Sequence, residues 1–144
     1  MSRALDHVEL AEMLNIAVPI HLATIDATGL PHITSLWFEW AEDAFWMTSL
    51  PDKPHVQRLR ANPAAGLCVD VEEPERPDGE RPNKQVRASG HADLLDDVGG
   101  HRTRRITEKY LRGPGRAAMI ERRTKDPRVA IRIEPERLIT IASV

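Results

Sequence analysis

Apolar residues follow a helical period near the start of the chain. They recur at three- and four-residue spacing between Asp6 and Ala17, which predicts an amphipathic helix. Asp6 is followed three residues later by Glu9, the pattern of a capping box. The sequence therefore predicts a short first helix that begins near Asp6.

The residues after this helix have the composition of strands. The run from Val18 to Ile25 is rich in apolar and β-branched residues, and Asp26 to Gly29 forms a turn signal before a second run from His32 to Trp40. A third run extends from Phe45 to Leu50. Because turn residues separate runs with strand composition, the pattern predicts three consecutive antiparallel strands.

Later segments alternate between apolar and polar residues with a period of two. Ala65 to Val71 and Lys84 to Leu95 alternate clearly, and the charged, proline-containing segment from Glu72 to Asn83 between them predicts an exposed loop. Val129 to Ile133 and Leu138 to Ile141 are the last predicted strands.

Two further helical regions interrupt the strands. Pro54 to Asn62 predicts a short helix with proline in its first turn. Val98 to Lys125 predicts a helical region that is broken at Gly113 to Gly115. About six or seven strands at short spacing indicate a mainly β protein, an antiparallel barrel with flanking helices. At 144 residues the chain is expected to form a single domain over residues 1–144.

Composition excludes several classes of protein. The formal net charge of −2 argues against a nucleic-acid-binding or membrane-binding protein that acts through overall charge. Cys68 is the only cysteine, so no intrachain disulfide can form. The first residues lack the basic start and apolar centre of a signal peptide, and we therefore expect a cytoplasmic protein.

The net charge conceals an asymmetry. Residues 1–50 contain seven acids and only Arg3 as a base, whereas residues 101–132 contain eleven bases and three acids. Two interpretations remain open for the basic segment. It is either a solvated helical face without a ligand or one wall of a site for an anionic partner.

Common catalytic and metal-binding signatures are absent from the sequence. It contains no G-x-G-x-x-G, no phosphate-binding P-loop, no H-E-x-x-H and no G-x-S-x-G. The six histidines are scattered, and no metal is predicted.

The remaining candidates resemble the wall of a binding site. Two neighbouring strands combine hydroxyls with apolar groups, and basic residues follow at the start of a helix, where an anion is favoured. The candidate residues are Thr34, Ser35, Leu36, Trp37, Met47, Thr48, Ser49, Lys53 and His55. The alternative is that the tryptophans belong to the core and that Lys53 is an ordinary surface residue.

The order of short motifs resembles a known family along nearly the whole chain. The motifs are His21-Leu-Ala-Thr24, Gly29-Leu-Pro-His32, Leu36-Trp-Phe38, Thr48-Ser49, Lys53 to Pro63, and Gly90-His-Ala-Asp93. They resemble the pyridoxamine 5′-phosphate oxidase-like split β-barrel superfamily, and within it the flavin and deazaflavin oxidoreductases. The resemblance implies a homodimer of six-stranded antiparallel split barrels of the FMN-binding type. It also implies FMN or coenzyme F-420 at the subunit interface, or haem or no cofactor in a few members.

The resemblance assigns roles to the candidate residues. Those on the two strands would line the flavin or deazaflavin ring, and Lys53 and His55 would bind the phosphate. Lys53 stands where the family often has Arg or Ser, and His55 stands where it usually has Lys. The expected function is reduction of a small organic acceptor by hydride transfer. The alternative is a non-catalytic flavin, deazaflavin or haem carrier, which the neutral His55 favours.

Overall fold

Strands and helices alternate along the chain in the computed structural model, which describes residues 1–143. The strands are β1 (Ser2–Arg3), β2 (Ile20–Ile25), β3 (Pro31–Leu36), β4 (Glu39–Ala41), β5 (Ala44–Ser49), β6 (Ala64–Glu72), β7 (Asn83–Asp96), β8 (Val129–Ile133) and β9 (Arg137–Ser143). The helices are α1 (His7–Asn15), α2 (Pro54–Ala61), α3 (His101–Tyr110) and α4 (Arg116–Thr124), and a short 3₁₀ turn (Val98–Gly100) precedes α3.

All the strand pairs are antiparallel and form one continuous path. The order is β3-β2-β6-β7-β8-β5-β4, while β9 pairs with β7 and β1 pairs with β9. The two ends of the path, β3 and β4, are joined in the chain by Trp37 and Phe38 alone. The edges of the curved sheet therefore meet at these two residues, and we call this junction the seam of the barrel.

The predicted mainly β barrel is confirmed, with more strands than six. The predicted strand from His32 to Trp40 is wrong as a single element, because β3 pairs only with β2 whereas β4 pairs with β5. The three predicted strands therefore do not pair consecutively. The break has a physical cause: the Phe38 amide donates to the Tyr110 hydroxyl (3.2 Å), and the Phe38 carbonyl accepts from Lys109 Nζ (2.9 Å). Side chains of α3 thus replace the sheet partners of Phe38.

The barrel core follows the predicted alternation. Leu67 and Val69 of β6 are buried, as are Val86, Ala88 and Ala92 of β7. The predicted capping box is also present, since the Asp6 carboxylate accepts from the amide of Glu9 (2.9 Å). Within residues 1–143 we find no helix with the length and apolar character needed to cross a membrane.

The acidic and basic parts of the sequence meet at α3. Glu39 of β4 is 8% exposed and pairs with Arg102 (3.4 Å) and Arg105 (2.6 Å). Arg102 also pairs with the exposed Glu42 (2.7 Å), and its guanidinium lies 3.8 Å from the ring centroid of Trp46. These contacts join α3 to the β4–β5 hairpin, so part of the charge asymmetry has a structural role.

Removing the buried carboxylate tests this role. Glu39→Gln removes the charge of the buried acid that pairs with Arg102. We therefore expect the free energy of unfolding to fall by about 3 kcal/mol. Glu42→Gln is the matched control, since the Glu42 side chain is 70% exposed, and it should change stability by less than about 1 kcal/mol. Urea unfolding measures both values. Equal losses in the two variants would contradict a structural role for the buried pair.

Candidate functional site

The end of β3 presents polar groups on the outer face of the sheet. Ser35 lies opposite His21 of β2, with 3.2 Å between the serine Oγ and His21 Nδ1. His21 Nε2 lies 3.4 Å from a carboxylate oxygen of Asp70 on β6. Thr34 and Leu36 alternate with Ser35 and lie opposite buried residues of β2. The outer face therefore carries a hydroxyl, imidazole and carboxylate in one line across three strands.

Trp37 follows β3 and forms an aromatic stack with α3. Its ring lies parallel to that of Tyr110, with 4.6 Å between the centroids. The Tyr110 hydroxyl donates to the carbonyl of Val18 (2.7 Å), and burial raises the pKa of Tyr110 to about 12. The phenol is therefore neutral at physiological pH and keeps its orientation. Trp37 is only partly buried, so the alternative in which it belongs wholly to the core does not describe it.

The candidate residues of β5 are all buried and divide between two environments. Met47 belongs to the barrel core and is fully buried. Thr48 faces α3, where its hydroxyl lies 2.8 Å from that of Thr103. Ser49 ends the strand opposite Val129 of β8. The structure therefore places Met47 inside the barrel, Thr48 against α3 and Ser49 beside β8.

The two basic candidates at α2 differ in environment. Lys53 is the exposed residue that precedes α2, and its helix begins with Pro54. His55, two residues after Lys53, is 6% exposed, and its Nε2 has no hydrogen-bond partner within residues 1–143. Burial, with smaller contributions from Arg58 and Lys53, lowers the pKa of His55. His55 is therefore neutral at pH 7, and of the two residues only Lys53 offers a positive charge to a phosphate.

Two arginines that sequence reasoning did not single out lie near Trp37 and Thr48. The guanidinium of Arg123 lies 5.0 Å from the Trp37 ring centroid, and Arg128 Nη2 donates to the Thr48 carbonyl (3.3 Å). Burial lowers the pKa of both arginines. Both belong to the basic segment 101–132. The sequence does not distinguish them from the other arginines of this segment, which have other roles.

Several of those other arginines form ion pairs. Arg102 and Arg105 pair with Glu39, and Arg132 pairs with Asp93 (3.1 Å) and Glu134 (3.2 Å). For these residues the basic segment is a structural surface rather than the wall of a site. Arg123 and Arg128 have no carboxylate partner within residues 1–143. Together with the hydroxyls and the partly exposed indole, they suit a planar ligand that carries an anionic group.

Comparison with known proteins connects this arrangement to one family. A model of the family described as pyridoxamine 5′-phosphate oxidase matches residues 7–142. No curated protein matches the sequence significantly.

Solved structures with the same fold have diverse ligands in their descriptions. An FAD-binding protein from Mesorhizobium loti is 22% identical, with a TM-score of 0.68 over 100% of this chain and 99% of that one. A protein described as an F420 reductase is 23% identical, with a TM-score of 0.62 over 88% and 93%. The haem storage protein HutZ from Vibrio cholerae is 18% identical, with a TM-score of 0.68 over 93% and 94%. At these identities the likeness shows the fold.

The buried neutral His55 predicts a pH dependence of stability. Its pKa in the folded chain is below the value of about 6.5 expected for the unfolded chain. Between these two values the unfolded chain binds a proton that the folded chain does not, so stability falls as pH drops through the window. The loss attributable to His55 is at most about 1.4 kcal/mol per pH unit.

Replacing the imidazole isolates this contribution. Urea unfolding at several values between pH 7 and pH 5 should show a smaller loss of stability for His55→Leu than for the wild type. His7→Leu, at an exposed histidine, should retain the wild-type slope. An unchanged slope in His55→Leu would show that the folded protein protonates His55 as readily as the unfolded chain does.

Proposed function

The chain belongs to the pyridoxamine 5′-phosphate oxidase family, and on that premise we propose that it is a cytoplasmic oxidoreductase. It binds a deazaflavin (F-420) or FMN at the interface of a homodimer and reduces a small organic acceptor. The observation that carries the proposal is the open edge of β3 beside a cationic seam. It combines main-chain groups, a partly exposed indole and positive charge.

The edge of β3 suits the polar rim of a flavin or deazaflavin ring. In the described residues β3 pairs with β2 alone, so the main-chain groups on its other side are available to a ligand. A ring with alternating donors and acceptors matches such an edge. Thr34, Ser35 and Leu36 form this edge, and Trp37 closes one end of it.

Positive charge at the start of α2 and on the basic segment favours the anionic part of either cofactor. Lys53 lies at the start of α2, where the helix dipole also favours an anion. We favour F-420 over FMN because its phosphodiester and oligoglutamate tail can use further cations. Exposed arginines of the basic segment without an ion pair in residues 1–143 supply them: Arg104, Arg112, Arg116 and Arg122.

The bound cofactor supplies hydride transfer, and the protein supplies binding, orientation and a proton. The β3 edge fixes the plane of the ring, and Trp37 restricts access of water at one end. Reduction of an acceptor also requires a proton. His21 lies between the Ser35 hydroxyl and the Asp70 carboxylate, and we assign it the role of passing this proton through Ser35.

The proposed homodimer is supported by the outer face of the sheet. Ile33 of β3 and Ile139 of β9 are 74% and 38% exposed on this face. Small residues lie between them on the central strands, among them Ala23 and Gly66. Exposed isoleucines and small central residues on this otherwise polar face permit close approach of a second copy. The β3 edge borders this face, so dimerisation would place both ligand sites at the interface.

A non-catalytic carrier of a flavin, deazaflavin or haem is the second candidate. The neutral, buried His55 favours it, because the family position usually provides a permanent charge. A haem storage protein also has this fold.

Spectroscopy and turnover distinguish the two candidates. Purified protein is titrated with F-420, FMN and haemin, and oxidation of the bound reduced cofactor is then followed with a panel of small acceptors. We expect binding of F-420 and its reoxidation by at least one acceptor. Tight binding without reoxidation would favour the carrier, and no binding of any of the three would contradict both candidates.

Lys53→Ala tests the predicted phosphate contact. Loss of one charge-assisted contact should weaken F-420 binding about tenfold, while the melting temperature stays unchanged because Lys53 is exposed. Binding to the wild type should also weaken as salt rises. Arg60→Ala, at an exposed base on the same helix, is the matched control. Equal affinity of Lys53→Ala and the wild type would remove Lys53 from the site.

A further inference from the structure

Arg123, which lies over the Trp37 ring, and Arg128, which donates to the Thr48 carbonyl, have no acidic partner in the described chain. Within residues 1–143 no carboxylate lies within 4 Å of Arg123 or Arg128, whereas Arg102, Arg105 and Arg132 all have such partners. Both unpaired arginines are half-buried. A half-buried guanidinium loses part of its hydration, so donors that lack a hydrogen-bond partner carry a free-energy cost.

Their hydrogen bonds leave much of the donor capacity unused. Arg123 Nη1 donates to the Thr107 hydroxyl (2.6 Å), and Arg128 Nη2 donates to the Thr48 carbonyl at a long 3.3 Å. Arg128 Nε is buried and has no partner in the described chain. A guanidinium has five donors in a planar fork that suits phosphate and carboxylate oxygens. Arg128 Nε, which has no partner in the described chain, is a donor of the kind that binds such an oxygen.

The positive charges of Arg123 and Arg128 repel each other when no anion is bound. The charge of Arg128 lowers the pKa of Arg123, in addition to the effect of burial. Asp97 is the acid whose charge acts on Arg128, but its carboxylate already accepts from the amides of Arg102 and Thr103 (2.9 and 3.0 Å). Asp97 is therefore committed to the start of α3. An anion between the two guanidiniums would relieve their repulsion and satisfy the free donors.

We propose that Arg123 and Arg128 together form an oxyanion-binding site at the seam, which takes the phosphate or phosphodiester of the ligand that lies beside Trp37. This inference rests on the proposed function and names residues outside the predicted phosphate loop. It also explains how the chain tolerates His55. Arg123 of α4 and Arg128, the residue before β8, supply the permanent charge that His55 does not provide at the start of α2.

Matched pairs of ligands test the site. FMN is compared with riboflavin, and F-420 is compared with the deazaflavin nucleoside that lacks the phosphodiester tail. Each pair differs in the anionic group and shares the ring. The loss of affinity on removing the anion therefore measures the phosphate contribution separately from ring binding.

The variants are Arg128→Gln and Arg123→Gln. Each should weaken FMN and F-420 at least about tenfold, because a charged hydrogen bond is lost. Riboflavin and the deazaflavin nucleoside should change less than about twofold, since they lack the anion. Arg60→Gln is the control, because this exposed arginine of α2 forms no ion pair in the described chain and has no proposed contact with the ligand. It should bind all four ligands as the wild type does.

Two further measurements keep the outcomes distinct. If Arg128→Gln unfolds, Arg128→Lys retains the charge without the planar fork and should show an intermediate loss for the phosphorylated ligands alone. If the wild type binds the cofactors and neither arginine variant changes the phosphate contribution, the inference is wrong and the proposed function stands. If the wild type binds no cofactor, the proposed function fails. Inorganic phosphate then decides the inference: it should raise the melting temperature of the wild type and of Arg60→Gln but not of Arg128→Gln. An equal shift in all three, or none, would overturn it.

Discussion

The main-chain groups of Phe38 are the point on which the architecture depends. They lie where the two edges of the sheet meet, and Tyr110 and Lys109 of α3 supply their hydrogen-bond partners. The Lys109 ammonium also lies 3.6 Å from the Phe38 ring centroid, and burial lowers the pKa of Lys109 to about 8. An edge group without these partners would be exposed or buried unsatisfied. Docking of α3 thus closes the barrel while β3 keeps a free edge.

Charge distribution follows from the same docking. A chain with a net charge of −2 contains a basic helical region, and that region contacts the acidic hairpin through Glu39 and Glu42. The paired arginines stabilise the helix against the barrel. Arg123 and Arg128 remain at the seam without an acid within 4 Å in residues 1–143. The division between paired and unpaired arginines separates structural charge from charge that is available to a ligand.

Much of the fold was predictable because it depends on local patterns. The capping box at Asp6 and the alternation in β6 and β7 are visible in the sequence and are present in the structure. The seam was not predictable, because Trp37 and Phe38 continue the apolar run and only tertiary contacts with α3 end the strand. Trp37 lies at the seam, and Thr34 and Ser35 lie on the strand that leads to it; their role in lining a cofactor ring stays a prediction. The orphaned donor of Arg128 and the burial of His55 depend on packing between distant segments, which no local pattern reveals.

The central claim is that ligands bind at the seam, beside Trp37 and the unpaired arginines. A crystal structure of the protein with F-420 or FMN tests it most directly. The account predicts the ring against the free edge of β3, next to Trp37, with its phosphate oxygens within hydrogen-bond distance of Arg123 and Arg128. A cofactor bound away from the β3 edge, with these two arginines unoccupied, would contradict it.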